Sequence, residues 1–272
     1  EKVEIKVSVT RGEVTKDKTL TVYIGAVQTF TLLEAKDVVS GRTIRVQGVV
    51  VGMPANNTVA IQDETAALAL YGQKISDFEE AGLGDLITVL GKKTEFNGLQ
   101  QIDRNYVVEK VETGTMPTPV DLNELEKLDD DTLLEHQSKL VSLENAKVTA
   151  FSLDNYDNVT MTLERLDGET IAFRWDARVE FEGSDFLTGL EVGDFVTLDG
   201  ALLAWSGGAQ ISVDNSAQIK KAVVTDEILV ATVKDELEIE TSFEEAGDLD
   251  LPATLNSVTI TWALKDDADN DI

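Results

Sequence analysis

Apolar residues gather in short runs broken by Gly, Asp and Asn, and at the start of the chain apolar and polar positions alternate with a period of two. Val3, Ile5, Val7 and Val9 alternate with polar neighbours, Arg11-Gly12 interrupts, and Leu20, Val22 and Ile24 resume, which predicts a hairpin over residues 2–24. An isolated hairpin is marginal in water, so these strands need a further partner. Strands are predicted next at Ile44–Val51, Val59–Gln62, Ala67–Tyr71, Leu86–Leu90 and Leu99–Ile102. Thr31-Leu-Leu-Glu34 has capping-box spacing and predicts a short helix ending near Gly41, and a second helical piece at Ile75–Ala81 is stopped by Gly82.

The chain then repeats itself. Gly84-Asp85 and Gly193-Asp194, Gly91 and Gly200, Phe96 and Trp205, and Gln101-Ile102 and Gln210-Ile211 are each 109 residues apart. A period of that length means two homologous domains in tandem, not a solenoid of short units. The second copy is predicted to open with a helix at Thr132-Leu-Leu-Glu135, followed by a strand at Leu140–Val148. A hairpin of Val159–Leu163 and Thr170–Trp175 should follow, turning at Asp167-Gly168. Pro117 and Pro119 mark the junction, because proline interrupts helix and ladder alike. The boundaries read as 1–28, 29–119, 120–222 and 223–272. Gly91 and Gly200 are expected where a barrel strand bends sharply, and Asp85 and Asp194 are expected to cap the turn before it.

Composition excludes several chemistries. The 272 residues include no Cys, so disulfides, thiol nucleophiles and thiolate metal sites are absent from the chain. No apolar run approaches the ~20 residues of a membrane-spanning helix. The first residue is Glu1, which reads as a mature form or a fragment. With 51 acidic and 23 basic side chains the net charge is −28, a field that repels phosphate backbones and keeps the chain soluble. The charge is uneven: residues 1–28 are nearly neutral and 223–272 are strongly acidic.

Five short strands with a helix between the third and fourth is the order of a small oligonucleotide/oligosaccharide-binding (OB) barrel. Val49-Val-Val-Gly52, Ala60-Ile-Gln-Asp63, Leu83-Gly-Asp85, Gly91 and Phe96-Asn-Gly-Leu-Gln100 resemble the OB domains of bacterial extracellular proteins, which include modules attached to secreted nucleases and large surface proteins. At the other end, Leu249-Asp-Leu-Pro252 and Val258-Thr-Ile-Thr-Trp262 resemble the first half of bacterial Ig-like surface domains, in which that Trp lies in the sandwich core. The hairpin at 2–24 resembles the last two strands of the same domain. The expected fold class is therefore all-β, two tandem five-stranded OB barrels with Ig-like sandwich strands at both termini.

Candidate chemistry is sparse. His136 is the sole histidine and has no neighbouring Ser or Cys, no nucleotide-binding or hydrolase fingerprint occurs, and no enzyme is expected. OB barrels bind single strands through stacking aromatics and a basic groove, which nominates Tyr71, Phe96, Trp175 and Trp205, with Arg42, Arg45, Lys92, Lys93 and Arg104 beside the first pair. Packing serves Phe96 and Trp205 equally well. Asp266, Asp267, Asp269 and Asp271 offer oxygen ligands for Ca²⁺, and Asp154-Asn-Tyr-Asp-Asn158 is a weaker candidate; neither has EF-hand spacing, and a solvated acidic loop explains both.

The resemblance implies a non-enzymatic structural or adhesive module of an extracellular or cell-surface protein. It would assemble head-to-tail into a filament as one copy's hairpin completes the Ig-like half of the next. The alternative is an accessory OB module that binds polysaccharide or single-stranded nucleic acid for a secreted enzyme. Expected partners are other copies or neighbouring repeats and a possible polysaccharide, without strong nucleic-acid binding.

Overall fold

The computed structural model describes residues 2–12, 14–23, 27–226, 228–230, 253–255 and 258–261. The predicted hairpin forms: β1 (Lys2–Arg11) and β2 (Val14–Tyr23) pair antiparallel from Lys2↔Tyr23 to Arg11↔Val14. Among the described residues they pair with no further strand, and Val7 and Val9 stand exposed.

The first barrel comprises β3 (Thr29–Phe30), α1 (Leu32–Lys36), β4 (Thr43–Ala55), β5 (Thr58–Gln62), β6 (Ala67–Tyr71), β7 (Asp85–Phe96), β8 (Leu99–Ile102) and β9 (Val107–Thr113). Strands run β4-β5-β6-β8-β7 and β7 returns to β4, which closes five strands into a barrel; β6 and β8 are parallel and the other ring pairs antiparallel. That is the OB connectivity. Alternate residues Val59, Ile61, Leu68, Leu70, Ile87 and Val89 fill the interior, as the pleat requires. The capping box forms as predicted. Thr31 Oγ1 accepts from the Glu34 amide at 3.2 Å, and Glu34 Oε2 accepts from the Thr31 amide at 2.9 Å, so Leu32 and Ala35 are buried against the barrel. The second helical piece is a single 3₁₀ turn, Ile75–Asp77, because Asp77 folds back to accept from the Lys74 amide.

The second barrel repeats this with β10 (Val120–Asp121), α2 (Asp130–Leu133), a 3₁₀ turn at Leu134–His136, β11 (Leu140–Leu153), β12 (Val159–Glu164), β13 (Thr170–Trp175), α3 (Asp185–Thr188), β14 (Phe195–Trp205), β15 (Ala209–Ser212) and β16 (Ile219–Lys221). Its helix starts earlier than the Thr132 spacing predicts: Asp129 is the cap, its carboxylate accepting from the Thr132 amide at 2.9 Å. Asp85 and Asp194 cap their turns as expected, accepting from the amides of Gly82 (2.8 Å) and Glu191 (2.9 Å).

The exact repeat hides one offset. β14 carries a bulge at Asp199-Gly200, where the ladder with β11 jumps from Leu143↔Leu198 to Val141↔Ala201 and Gly200 takes φ +66°. Gly91 sits instead in a regular strand, where a Cβ would lie 2.2 Å from Ile102. The two glycines therefore serve different needs: close packing in one barrel and backbone bending in the other. Beyond the bulge, Glu95 pairs with Gln100 and Trp205 with Ala209, and Gln100 and Ala209 are 109 residues apart. Trp205 thus stands where the first barrel has Glu95, not Phe96.

At the C-terminal end, β17 (Thr254–Leu255) and β18 (Val258–Thr259) form a two-residue ladder. Leu251-Pro252, Trp262 and the aspartates at 266, 267, 269 and 271 lie outside the described residues, and no Ig-like sandwich forms among those described.

Candidate ligand-binding faces

In an OB barrel the outer face of the second and third strands, flanked by two hairpin loops, is the surface free to meet a ligand. The two barrels treat this face in opposite ways. In the first, the outward cross-strand pairs are Thr58/Tyr71, Ala60/Ala69 and Gln62/Ala67. All except Tyr71 are buried. The second barrel seals this face: Val49, Val51 and Ala60 form an apolar cluster with Leu140 and Leu202. The Leu140 amide donates to Gln62 Oε1 at 2.9 Å inside that seam. Burying each leucine removes apolar surface worth about 1.5–3 kcal/mol, and the paired Gln62 avoids the cost of an unsatisfied amide oxygen.

The seam continues on both sides of this cluster. Gln137, buried, accepts from the Gln100 amide at 2.7 Å and donates to Leu134 O at 3.1 Å. Trp205 donates its indole N–H to Asn97 O at 3.0 Å. Asp214 Oδ2 accepts from the Met53 amide at 2.7 Å, and burial pushes this carboxyl above its ordinary range against the pull of that bond. Two barrels joined by an apolar centre and paired polar edges form one interface instead of swinging on a linker.

The equivalent pairs on the second barrel are Thr160/Arg174, Thr162/Ala172 and Glu164/Thr170, and this face is open, with Thr160, Thr170, Ala172 and Arg174 exposed. Chemistry follows exposure. Val49, Val51, Ala60 and Gln62 in the sealed face correspond to Lys147, Thr149, Thr162 and Glu164 in the open one. The polar set suits water or a hydrophilic ligand. Tyr156 stands 81% exposed in the loop beside it.

The nominated aromatics separate accordingly. Trp175 points inward, 5% exposed, donating to Val179 O at 3.0 Å and meeting Phe181 edge-on at 5.8 Å, so it is a core residue. Trp205 belongs to the seam, and Phe96 stands exposed at the neighbouring hairpin tip. Tyr71 is engaged by Arg104, whose guanidinium lies 5.0 Å from the ring centre and donates to the phenol oxygen at 2.9 Å. Of the nominated cations, Arg45 is paired with Glu109, Arg42 lies over Phe30, and Lys93 is buried. Asp154 spends its carboxylate on its own loop, accepting from the Tyr156 and Asn158 amides and from Asn158 Nδ2. Among the described residues no three His, Asp or Glu side chains converge to hold a metal. Arg174, Thr160 and Thr162 were not nominated from sequence. The legible signal was the switch from apolar to polar at matching outward positions of the two repeats.

No family model matches this chain, and no curated protein does. Solved structures that align with it include the hypothetical protein ygiW from E. coli, 12% identical over 33% of this chain and 98% of that one, TM-score 0.26. A murine DNA binding protein bound with double-stranded DNA aligns at 14% identity over 67% and 98%, TM-score 0.32. The Ifi202 HINa domain in complex with 20-base-pair double-stranded DNA aligns at 15% over 69% and 99%, TM-score 0.30. Likenesses of this strength carry no argument about activity. The expectation that strong nucleic-acid binding is absent does not stand, and its weakness lies in its premise. That expectation rested on total charge, whereas a ligand meets the local field of one face.

Proposed function

We propose that this chain is a non-enzymatic binding module in which the first barrel is a base and the second presents the ligand face. The ligand is an extended polar polymer, a single-stranded nucleic acid or a polysaccharide, held for whatever domain the module accompanies. The observation that carries this reading is the asymmetry of two equivalent faces, one apolar and sealed, the other polar and open around Arg174. Tyr156 supplies a flat ring for stacking on a base or a sugar, worth ~1–3 kcal/mol per stacked base, and Thr160, Thr162 and Arg174 supply hydrogen bonds along the strand direction. The test is retention of oligodeoxythymidine, oligouridine and neutral polysaccharides by the intact chain. Arg174→Ala and Tyr156→Ala should each weaken the retained polymer about tenfold, since 1.4 kcal/mol is a factor of ten, while Phe96→Ala does not. Retention indifferent to Arg174 and Tyr156 rejects the assignment.

A structural or adhesive role within a longer extracellular surface chain is the second reading, and the seam favours it. Joined barrels make a stiff spacer, and the polar face of the second ends the stack instead of recruiting a third. Small-angle scattering separates the readings: a spacer keeps one shape whether or not polymer is added, and no polymer in the retention series binds it.

A further inference from the structure

Beyond the strand face lies a second concavity that this reading does not use. A cleft of about 480 Å³ opens along the edge of the seam, between α1 of the first barrel and the α2 to 3₁₀ segment of the second. Lys36 enters it from α1 and Lys139 from the start of the second barrel, with Gln100 and Gln137 also lining it. Both lysines are half-buried, whereas the acids at the cleft, Asp37, Asp131 and Glu135, are exposed. Exposed charges are screened by water and salt, while half-buried ones are not, so the ammonium groups dominate the interior of the cleft.

Three observations describe how these bases are held. Lys36 Nζ donates to the backbone carbonyl of Glu135 at 3.2 Å, and among the described residues neither Lys36 nor Lys139 has a carboxylate in ion-pair range. Lys93, 1% exposed, stands on the inner face of β7 where the second barrel has Leu203, and donates to Thr94 O and to Gln100 Oε1 behind the cleft. A lysine in place of a core leucine is costly to bury, and these two hydrogen bonds offset part of that cost. His136, beside these groups, meets Glu135 Oε1 at 3.5 Å through Nε2 and keeps a buried Nδ1 with no hydrogen-bond partner. Burial, then Lys139, lowers the Lys36 ammonium to about 8, with Lys93 adding to the effect and Glu135 and Asp63 opposing it. Burial and then Lys139 likewise lower His136. In a chain of net charge −28, a cluster of mutually repelling bases needs a physical reason.

We propose that this inter-barrel cleft is a binding site for a compact oxyanion, phosphate or a phosphoryl group in chemical class, held between Lys36 and Lys139. Two charge-assisted hydrogen bonds from separate barrels would hold the anion and, by linkage, stiffen the seam. The exposed acids at the rim disfavour a long polyanion and select a small one.

The experiment is calorimetric titration of the intact chain with inorganic phosphate at pH 7 and constant ionic strength, with thermal unfolding in parallel. Saturable binding is expected, with a midpoint that rises with phosphate and does not rise with chloride. Lys36→Met and Lys139→Met should each weaken binding at least about tenfold, the value of one charged hydrogen bond, while Lys36→Arg retains it and Lys92→Met leaves it unchanged. Binding should weaken as pH rises through about 8, where Lys36 loses its proton in the field of Lys139, Lys93, Glu135 and Asp63. Glycerol phosphate separates the sources: tighter binding than inorganic phosphate marks a phosphoryl ester, and equal binding marks the free ion. Circular dichroism shows that each variant is folded, and if one is not, the other lysine variant decides. No saturable signal up to ~10 mM phosphate, the weak end of specific affinity, or methionine variants that bind like the parent, would overturn the proposal.

Discussion

Trp205 of the second barrel donates its indole N–H to the carbonyl of Asn97 in the first, at 3.0 Å. The acceptor lies in a two-residue hairpin turn, Asn97-Gly98, whose φ values of +49° and +84° are those such a turn demands. Gly98 is also needed for space, since a Cβ there would come within 2.8 Å of the indole nitrogen. Trp205→Phe keeps most of the ring and removes the donor, so it should cost about 1 kcal/mol in urea unfolding. Gly98→Ala should cost more, because it strains the turn and displaces the ring. If the phenylalanine variant matches the parent, the indole bond does not tie the barrels together.

Leu202 tests whether the two barrels unfold as one. Its side chain is fully buried against Val49, Val51 and Ala60 of the other barrel. Leu202→Ala should cost ~2–5 kcal/mol, the usual range for a buried leucine. Leu202→Lys places an unpaired ammonium in the same apolar centre and should part the barrels without unfolding either. Calorimetry of the parent should show one transition for both barrels, and of the lysine variant two. A single transition in both would mean that the seam does not couple them.

Much of the barrel architecture is legible in the sequence because each local signal agrees with the global fold. The strands expected at Ala67–Tyr71 and Leu99–Ile102 form with those bounds, and Thr31 and Glu34 form the reciprocal cap that their spacing implies. What escapes is set by contacts between distant segments. An inward and an outward tryptophan look alike in a run of residues. The strand containing Trp175 alternates with Ile171 and Phe173 on the buried face, so period two places it inside. The aromatic-platform reading ignored that phase. The bulge at Gly200 is equally silent, since the matching glycine at 91 preserves the repeat while the backbone differs. The seam leaves a trace only when the repeats are compared outward face by outward face, with Ala60 against Thr162 and Val49 against Lys147.

The two glycines should respond differently to one methyl group. At Gly91 a Cβ would lie 2.2 Å from the Ile102 side chain and 2.8 Å from Tyr106 Cβ, inside a barrel that cannot yield without shifting a strand. Gly91→Ala should cost ~1–3 kcal/mol or more, as overpacking does. Gly200 has nothing within 4 Å of that position, and its φ of +66° is the whole constraint. Gly200→Ala should cost about 1 kcal/mol, and Gly200→Asn less, since Asn tolerates the left-handed region. Equal losses at the two sites would show that both glycines serve the same bend. Thermal midpoints of the three variants decide it.

Asp214 gives the seam a pH dependence of unusual sign. Burial raises its carboxyl above the ordinary value of 3.8, although the Met53 and Asn215 hydrogen bonds pull the other way. A carboxyl raised in the folded state favours the protonated form there. Its contribution is therefore fully present below the unfolded value and is lost as pH rises through the folded one. At neutral pH the ionised Asp214 is a cost that the seam bears. Asp63, Asp129 and Asp194 are lowered: at Asp63 burial raises the carboxyl but the hydrogen bonds from Leu32, Thr65 and Ala66 together outweigh it, at Asp129 the Thr132 amide leads, and at Asp194 Lys221 does. They contribute above their unfolded values and lose that contribution on acidification, so the total stability of the chain does not isolate Asp214. A difference does. Asp214→Asn removes the titrating proton and keeps a carbonyl oxygen able to accept from the Met53 amide. Measured by urea unfolding at several pH values, the variant should gain on the parent as pH rises from about 4 to 7, the range above the unfolded carboxyl value. A difference that stays constant over that range, or that shrinks as pH rises, would mean that Asp214 stays ionised at no cost and that the bond to Met53 outweighs its burial.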